Sequence, residues 1–147
     1  MAQPDGSGFQ EKPRVLILDD EPALRSVMAR MLGRACDVEA PSGIESTVAA
    51  LVAGARWDAI VCDVRMPVVT GPKLLGILRE SRPDLADRVL FTTGADIDDA
   101  KVAALVAEGC RVLYKPFTMS ALVDGVASLI ASPSIAPEPR VMAYLST

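Results

Sequence analysis

The chain has 147 residues, of which half are apolar and only 4% aromatic, so it can bury a single core that is mainly aliphatic. Its formal net charge of −4 argues against direct binding of nucleic acid, and no run of about 18 uncharged apolar residues predicts a membrane span. The absence of histidine excludes histidine metal sites, histidine-dependent triads and a phosphohistidine within this chain.

The first residues, 1–13, are polar and contain Gly and Pro, which predicts a flexible N-terminal arm. This segment lacks the basic and apolar regions of a signal peptide, so we expect a cytoplasmic protein. The three cysteines, Cys36, Cys62 and Cys110, lie far apart and form no C-x-x-C pair. We therefore expect them to be small buried apolar side chains in a reducing compartment.

Five short apolar runs predict five strands. The runs are continuous rather than alternating, which is typical of parallel strands that are buried on both faces. In chain order they are Val15–Leu18, a weaker run Val38–Ala40, Ala59–Cys62, Val89–Thr92 and Val112–Tyr114.

The segments between and after these runs carry apolar residues at helical spacing. Pro22 is predicted to open the first helix, Ser42 to cap the second and Pro72 to open the third. The fourth helix is predicted over residues 98–108, and Thr118 is predicted to cap the fifth. Alternating strands and helices of these lengths predict a (βα)5 doubly wound α/β domain.

The C-terminal residues predict a tail or linker rather than a sixth βα unit, because Pro133, Pro137 and Pro139 interrupt them. The predicted organisation is an arm over 1–13, a folded domain over 14–131 and a Pro-containing tail or linker over 132–147. Apolar residues in the tail could dock on a neighbouring subunit, which leaves a homodimer open. These residues are Val141, Met142, Tyr144 and Leu145.

Four of the five predicted strands end in polar or charged side chains. These are Asp19 and Asp20, Asp63, Thr92 and Thr93, and Lys115. We expect them to converge, because the carboxyl ends of the strands border the ligand crevice in open α/β sheets. Clustered carboxylates repel one another unless a cation lies among them, and oxygen ligands suit Mg²⁺. A carboxylate beside Mg²⁺, a lysine and a hydroxyl can attack phosphorus and become an acyl phosphate.

Four motifs at these strand ends, "VLILDDEP", "IVCDVRMP", "VLFTTG" and "VLYKPF", resemble the receiver domain of two-component response regulators over about residues 14–131. Asp63 lies 43 residues after Asp20, Thr93 lies 30 after Asp63, and Lys115 lies 22 after Thr93. The resemblance implies a flavodoxin-like doubly wound fold with a five-stranded parallel sheet in the order 2-1-3-4-5 and helices on both faces.

The resemblance also implies the role of each acidic residue. Asp63 would be the phosphoacceptor and a ligand of Mg²⁺, Asp20 a direct ligand of the metal, and Asp19 a ligand through water. Arg65 would contribute its backbone carbonyl to the metal. The Arg65 side chain has two readings that stay open: it screens the acyl phosphate from water, or it is an ordinary solvated arginine.

At the other strand ends, the resemblance implies that Thr93 and Lys115 contact the phosphoryl group and that the Lys115–Pro116 bond is cis. The sequence departs from the family where an aromatic residue commonly lies three positions before the lysine, because Val112 stands there. Tyr114 has the same strand parity, but we expect an ordinary core tyrosine. The loop over residues 67–71 is also more apolar than is common, which we expect to affect partner contacts.

The leading hypothesis is a phosphorylation switch. A separate histidine kinase or histidine phosphotransfer protein would phosphorylate Asp63 in a Mg²⁺-dependent reaction, and the change would alter contacts with a downstream protein that the sequence does not identify. Such a domain is not an enzyme beyond assisting its own phosphoryl transfer and dephosphorylation.

The alternative that keeps the fold is a phosphorylation-independent interaction module. A phosphatase of the haloacid dehalogenase type would need Asp-x-Asp after the first strand, and a flavodoxin would need a Ser/Thr/Gly-rich loop there; "DDEPA" provides neither. The chain is either a stand-alone receiver or a part of a larger regulator or hybrid kinase.

Overall fold

Five parallel strands form one sheet in the order β2-β1-β3-β4-β5 in the computed structural model, which describes residues 12–94 and 99–131. The order is the predicted one, and each strand lies within one residue of its predicted bounds. The strands are β1 Arg14–Leu18, β2 Asp37–Glu39, β3 Ala59–Asp63, β4 Val89–Thr93 and β5 Arg111–Tyr114.

Helices cover both faces of the sheet, which confirms the doubly wound fold. They are α1 Pro22–Leu32, α2 Ile44–Val52, α3 Gly71–Ser81, α4 Ala100–Ala107 and α5 Met119–Ala131, with a one-turn helix Pro83–Ala86 after α3. The residues of α1 and α5 pack on one face, and those of α2, α3 and α4 pack on the other. No helix in the described ranges is long and apolar enough to cross a membrane.

Strand alternation explains why both layers are filled. Val15 and Ile17 of β1 face the α1 and α5 side, while Leu16 and Leu18 face the other, and all four are buried. Phe91 of β4 is among the largest fully buried side chains and belongs to the layer under α2, α3 and α4. The core is therefore mainly aliphatic, as the composition predicts.

The predicted starts of three helices agree with the structure. Pro22 is the first residue of α1. Pro72 lies in the first turn of α3, whose cap is Thr70, and the Thr70 side chain accepts from the backbone N–H of Lys73. The Thr118 hydroxyl oxygen accepts from the N–H of Ala121 at 3.0 Å at the start of α5. A threonine oxygen thus satisfies a backbone N–H that has no partner within the helix.

Two other predicted starts are wrong or incomplete. The cap position of α2 is Gly43 rather than Ser42, and no side chain caps it. The α4 helix begins at Ala100, with Asp99 as its cap, whereas residue 98 lies outside the described residues. Its end agrees with the prediction, since Gly109 follows with a positive φ of 84° that glycine adopts without strain.

The cysteines agree with their predicted role only in part. Cys36 and Cys62 are buried, but Cys110 is half-buried. Burial raises the pKa of the Cys62 thiol well above its ordinary value, which keeps it protonated and apolar. Most of the predicted arm and the whole predicted tail lie outside the described residues, so the domain limits 1–13, 14–131 and 132–147 stay predictions.

Candidate functional site

The carboxyl ends of the central strands bring three charged side chains together. Asp19 directly follows β1, Asp63 ends β3, and Lys115 directly follows β5. The ammonium nitrogen of Lys115 lies 3.6 Å from Asp19 Oδ2 and 3.5 Å from Asp63 Oδ2. A single lysine is therefore shared by two carboxylates that are distant in sequence. Asp19 lies nearly a hundred residues before it and Asp63 about fifty.

Asp20 completes an acidic cluster with these two carboxylates. Ligand oxygens of Asp19, Asp20 and Asp63 all lie within 4.8 Å of one another. Asp19 is fully buried, Asp63 is 7% exposed and Asp20 is exposed. The cluster therefore opens to solvent on the Asp20 side, which is the direction from which an ion or a phosphoryl group can enter.

Asp19 is held by the backbone but is not fully satisfied. Its Oδ1 accepts from the N–H of Glu21 at 2.9 Å, while its Oδ2 is buried without a hydrogen-bond partner. The Lys115 ammonium at 3.6 Å gives this oxygen an ion pair but no hydrogen bond, so its burial costs free energy unless a nearer cation or a water supplies the missing interaction. This orphaned oxygen and the all-oxygen donor set fit a hard divalent cation such as Mg²⁺.

The environment of Asp63 disfavours its charged form. Burial is the largest cause and raises the pKa of Asp63 above its ordinary value; Lys115 opposes this, and the neighbouring Asp19 carboxylate raises the pKa further. The backbone N–H of Arg65 donates to Asp63 Oδ1 at 3.4 Å and acts in the same direction as Lys115. A cation bound here would favour the ionised, nucleophilic carboxylate.

Two fully buried threonines end β4 beside the cluster. Thr92 is the register partner of Asp63 on one side and of Leu113 on the other, so its side chain lies on the same face of the sheet as Asp63. Its hydroxyl has no hydrogen-bond partner within the described structure. Thr93, which the sequence indicates as a phosphoryl contact, is the last residue of β4 and pairs in register with Tyr114; its carbonyl accepts from the N–H of Lys115 at 2.8 Å.

The Arg65 side chain has a partner that sequence reasoning missed. It is 58% exposed and forms an ion pair with Asp99, whose side chain is only 11% exposed. Asp99 also accepts from the N–H groups of Lys101 and Val102 as the cap of α4. Partial burial acts to raise the pKa of Asp99, but these N–H groups and the guanidinium together hold it below its ordinary value. The only sequence signal for Asp99 is its acidic character at the start of a predicted helix.

The expectation of a core tyrosine at Tyr114 is wrong. Tyr114 is 40% exposed, because it is the last residue of an edge strand with a neighbour on one side only. Val112 is half-buried and packs against the layer under α2, α3 and α4. The Lys115–Pro116 bond is cis, as predicted.

The apolar loop after Asp63 divides between core and solvent. Val69 is buried, whereas Val68 is 63% exposed and has a positive φ of 69°, which is strained for a β-branched residue. The expected effect of this loop on contacts with partners stays a prediction.

Proteins of similar sequence include response regulators. Response regulator MprA of Mycobacterium sp. (strain KMS) is 33% identical over 136 residues, which are 90% of this chain and 57% of that protein. The chain spans about half the length of such curated relatives.

Solved structures of similar fold include FixJ-N, with a TM-score of 0.73 and 23% identity over 86% of this chain and 99% of that chain. Another is the receiver domain of sensor histidine kinase PA1611 from Pseudomonas aeruginosa PAO1, solved with a magnesium ion coordinated in its active site cleft. Its TM-score is 0.69 and its identity 22%, over 82% of this chain and 99% of that chain. At these identities the likeness shows the fold.

A family model described as the response regulator receiver domain matches residues 15–127, which include the acidic cluster, both threonines and Lys115. With the strand order, the convergence of these side chains and the similarity to MprA, this match shows that the chain belongs to the response regulator receiver domains of two-component systems.

Proposed function

We propose that this receiver domain is a cytoplasmic phosphorylation switch that accepts a phosphoryl group on Asp63 from a separate histidine kinase or histidine phosphotransfer protein. The observation that carries the proposal is the setting of Asp63, a nearly buried carboxylate that shares Lys115 with a second buried carboxylate. Such an arrangement weakens the unliganded protein, so it is better explained by a ligand than by stability. The donor histidine lies outside these 147 residues, which contain none.

The transfer is a displacement at phosphorus. A carboxylate oxygen of Asp63 forms a bond to phosphorus while the phosphorus–nitrogen bond of the phosphohistidine breaks, and the electron pair of that bond stays on the imidazole. Lys115 neutralises phosphoryl oxygens as the group arrives, and the Thr93 hydroxyl provides a further donor. Attack by water on the acyl phosphate later returns the Asp63 carboxylate and releases inorganic phosphate.

The acidic cluster fits a resident Mg²⁺. Asp20, Asp63 and the backbone carbonyl of Arg65 would be its direct ligands, and Asp19 would bind it through a water that also satisfies its orphaned Oδ2. When bound, the ion neutralises the carboxylates and the phosphoryl oxygens and so lowers the cost of bringing them together. The magnesium ion in the cleft of the PA1611 receiver domain, which has the same fold, supports this assignment.

The output of the switch is a changed protein surface. Phosphorylation replaces the single negative charge of Asp63 by about two, at the crevice next to the start of α4 and the end of β5. Exposed apolar side chains at the end of β5 and the start of α5 are suited to contact a protein partner; they are Tyr114 and Met119. We propose residues 14–131 as the limits of the switching unit, either alone or within a longer regulator or hybrid kinase.

The test is phosphorylation by a small donor. We would incubate the protein with Mg²⁺ and acetyl phosphate and compare intact masses of the wild type, Asp63→Asn and Asp58→Asn. Asp58 is a control carboxylate at the opposite end of β3, where it accepts from the N–H of Arg14. A phosphoryl-sized gain is expected in the wild type and in Asp58→Asn, but not in Asp63→Asn.

The second candidate, a phosphorylation-independent module, is favoured by one observation, the absence of an aromatic residue at Val112. If no variant gains mass and beryllofluoride, a phosphoryl mimic, also fails to bind in Mg²⁺, the switch is refuted and this candidate replaces it.

A further inference from the structure

The Arg65 side chain joins the phosphoacceptor loop to the first turn of α4. At one end, the N–H of Arg65 donates to Asp63. At the other end, its guanidinium pairs with Asp99. Asp99 is fixed in place, because it accepts from Lys101 N at 2.8 Å and from Val102 N at 3.2 Å. A single residue therefore reaches from the acceptor carboxylate to the cap of a helix 34 residues away.

Phosphorylation changes the charge balance beside this residue. Lys115 and a bound Mg²⁺ together match the three carboxylates of the cluster. An acyl phosphate on Asp63 replaces one carboxylate charge by about two phosphoryl charges, so about one negative charge is left unmatched. The guanidinium of Arg65 is suited to take it, because arginine binds phosphoryl oxygens with two parallel hydrogen bonds.

The Arg65 side chain is also free to turn. It is 58% exposed, so it can change partner without opening a cavity in the core. The guanidinium is the solvated end of its pair with Asp99; the Asp99 carboxylate is only 11% exposed but keeps two backbone N–H donors when the pair opens. A doubly charged phosphoryl group on Asp63, whose carboxylate already accepts from the Arg65 N–H, competes well against such a pair.

We propose that Arg65 is a phosphoryl-binding residue with two alternative partners, Asp99 before phosphorylation and the phosphoryl group on Asp63 after it. This rests on the proposed phosphorylation of Asp63. The exchange breaks the ionic link between the loop after β3 and α4, while the hydrogen bonds of Asp99 to the helix remain. The first turn of α4 then shifts as a unit. The route to α4 needs no aromatic residue at Val112.

A second ion pair provides a matched control. Arg79 of α3 pairs with Glu108 at the other end of α4, and both side chains are about half exposed. This pair also ties α4 to its neighbour, but it lies away from the acceptor crevice. It therefore keeps its partner whether or not Asp63 is modified.

The experiment measures beryllofluoride affinity in Mg²⁺ by ¹⁹F NMR titration for the wild type, Asp99→Asn, Arg65→Gln, the double variant and Arg79→Gln. Asn caps a helix as well as Asp does, so Asp99→Asn removes the charge and keeps the cap. Freed from Asp99, Arg65 binds the mimic about threefold more tightly. Arg65→Gln weakens binding about tenfold; the double variant matches Arg65→Gln, and Arg79→Gln matches the wild type.

The opposite signs of the two single variants are diagnostic. If the pair only maintained the shape of the site, removing either partner would change affinity in the same direction. Equal directions, or no change in either variant, refute the exchange while leaving phosphorylation of Asp63 intact. Failure of the wild type itself to bind beryllofluoride in Mg²⁺ refutes the proposed function and the exchange with it.

Discussion

The two ends of the sheet differ in whether their buried charged groups are fully paired. At the end where the strands begin, the Arg82 guanidinium is 14% exposed and fully engaged. It donates to the carbonyls of Leu51 at 2.8 Å and Ala55 at 2.7 Å, and it pairs with Asp84 at 3.0 Å. Each of these contacts joins the segment after α3 either to the end of α2 or to its own turn. We call this end of the sheet, where the buried charge is fully paired, the locked end.

At the end where the strands finish, the buried carboxylates outnumber the cationic side chains that pair with them. Asp19 and Asp63 share the single ammonium of Lys115 at 3.5–3.6 Å. Asp19 Oδ2 and Thr92 Oγ1 are, within residues 12–94 and 99–131, the buried side-chain atoms that lack a hydrogen-bond partner. The pKa of Asp63 is raised there, chiefly by burial.

The difference shows which end of the fold stabilises the protein and which end is prepared for a ligand. A satisfied ionic network favours the folded state, whereas clustered carboxylates and unpartnered polar atoms oppose it until something binds. Substitutions at the two ends should therefore have different signs and different dependence on Mg²⁺. Three measurements test this contrast.

The largest effect is expected from Arg82→Ala at the locked end. It removes two hydrogen bonds from a charged donor and one ion pair, so the free energy of unfolding should fall by about 3 kcal/mol. Urea denaturation measures this. Beryllofluoride affinity of the folded variant should stay within about twofold of the wild type, because nothing at the acceptor crevice changes.

Arg79→Ala is the matched control, since Arg79 lies in the last turn of α3, close to Arg82 in the chain, and also forms an ion pair but is about half exposed. We expect it to cost less than about 1 kcal/mol. Equal losses for the two variants would mean that the Arg82 network contributes no more than a surface pair.

The next effect is the response to Mg²⁺ at the acidic end. An ion that binds only the folded protein raises the free energy of unfolding by about 2.7 kcal/mol at a concentration a hundredfold above its Kd, and chelation removes this gain. Asp20→Asn, which removes an exposed carboxylate of the cluster, should abolish most of the gain. Thermal unfolding with Mg²⁺ and with EDTA measures it.

Asp58→Asn serves as the control for general loss of negative charge, because Asp58 is an acid at the locked end. It should keep the full response to Mg²⁺. A similar loss of response in Asp58→Asn would indicate diffuse screening of charge rather than a site at the cluster.

Much of this contrast could be predicted from the sequence, because it depends on the pattern of apolar residues along each strand and on the topology of the sheet. Continuous apolar runs indicated parallel strands, and parallel strands bring their carboxyl ends to one edge, so Asp19, Asp63 and Lys115 converge. The Arg65–Asp99 pair could not be predicted in this way. Exposed side chains on different elements leave no periodic signal, and many pairings are compatible with the same sequence.

The wrong predictions of the α2 cap and of the burial of Tyr114 each have an identifiable cause. The cap of α2 lies at Gly43 rather than Ser42, because the position of a helix start within a residue depends on backbone geometry that a favourable side chain does not determine. Tyr114 is exposed because β5 lies at an edge of the sheet; the implied strand order already placed it there, but the expectation of a core tyrosine did not take that position into account.

The smallest expected effect has the most informative sign. Thr92→Val replaces a buried hydroxyl that has no partner with a methyl group of similar size in a strand position that favours valine. Without Mg²⁺, the free energy of unfolding should rise by up to about 1 kcal/mol. Thr118→Val is the matched comparison: its hydroxyl oxygen accepts from Ala121 as a helix cap, so the same substitution should cost about 1 kcal/mol. If Thr92→Val is destabilising as well, the Thr92 hydroxyl has a hydrogen-bond partner in solution. The contrast between unpaired polar groups at the acidic end and paired ones at the other end would then be weaker than proposed.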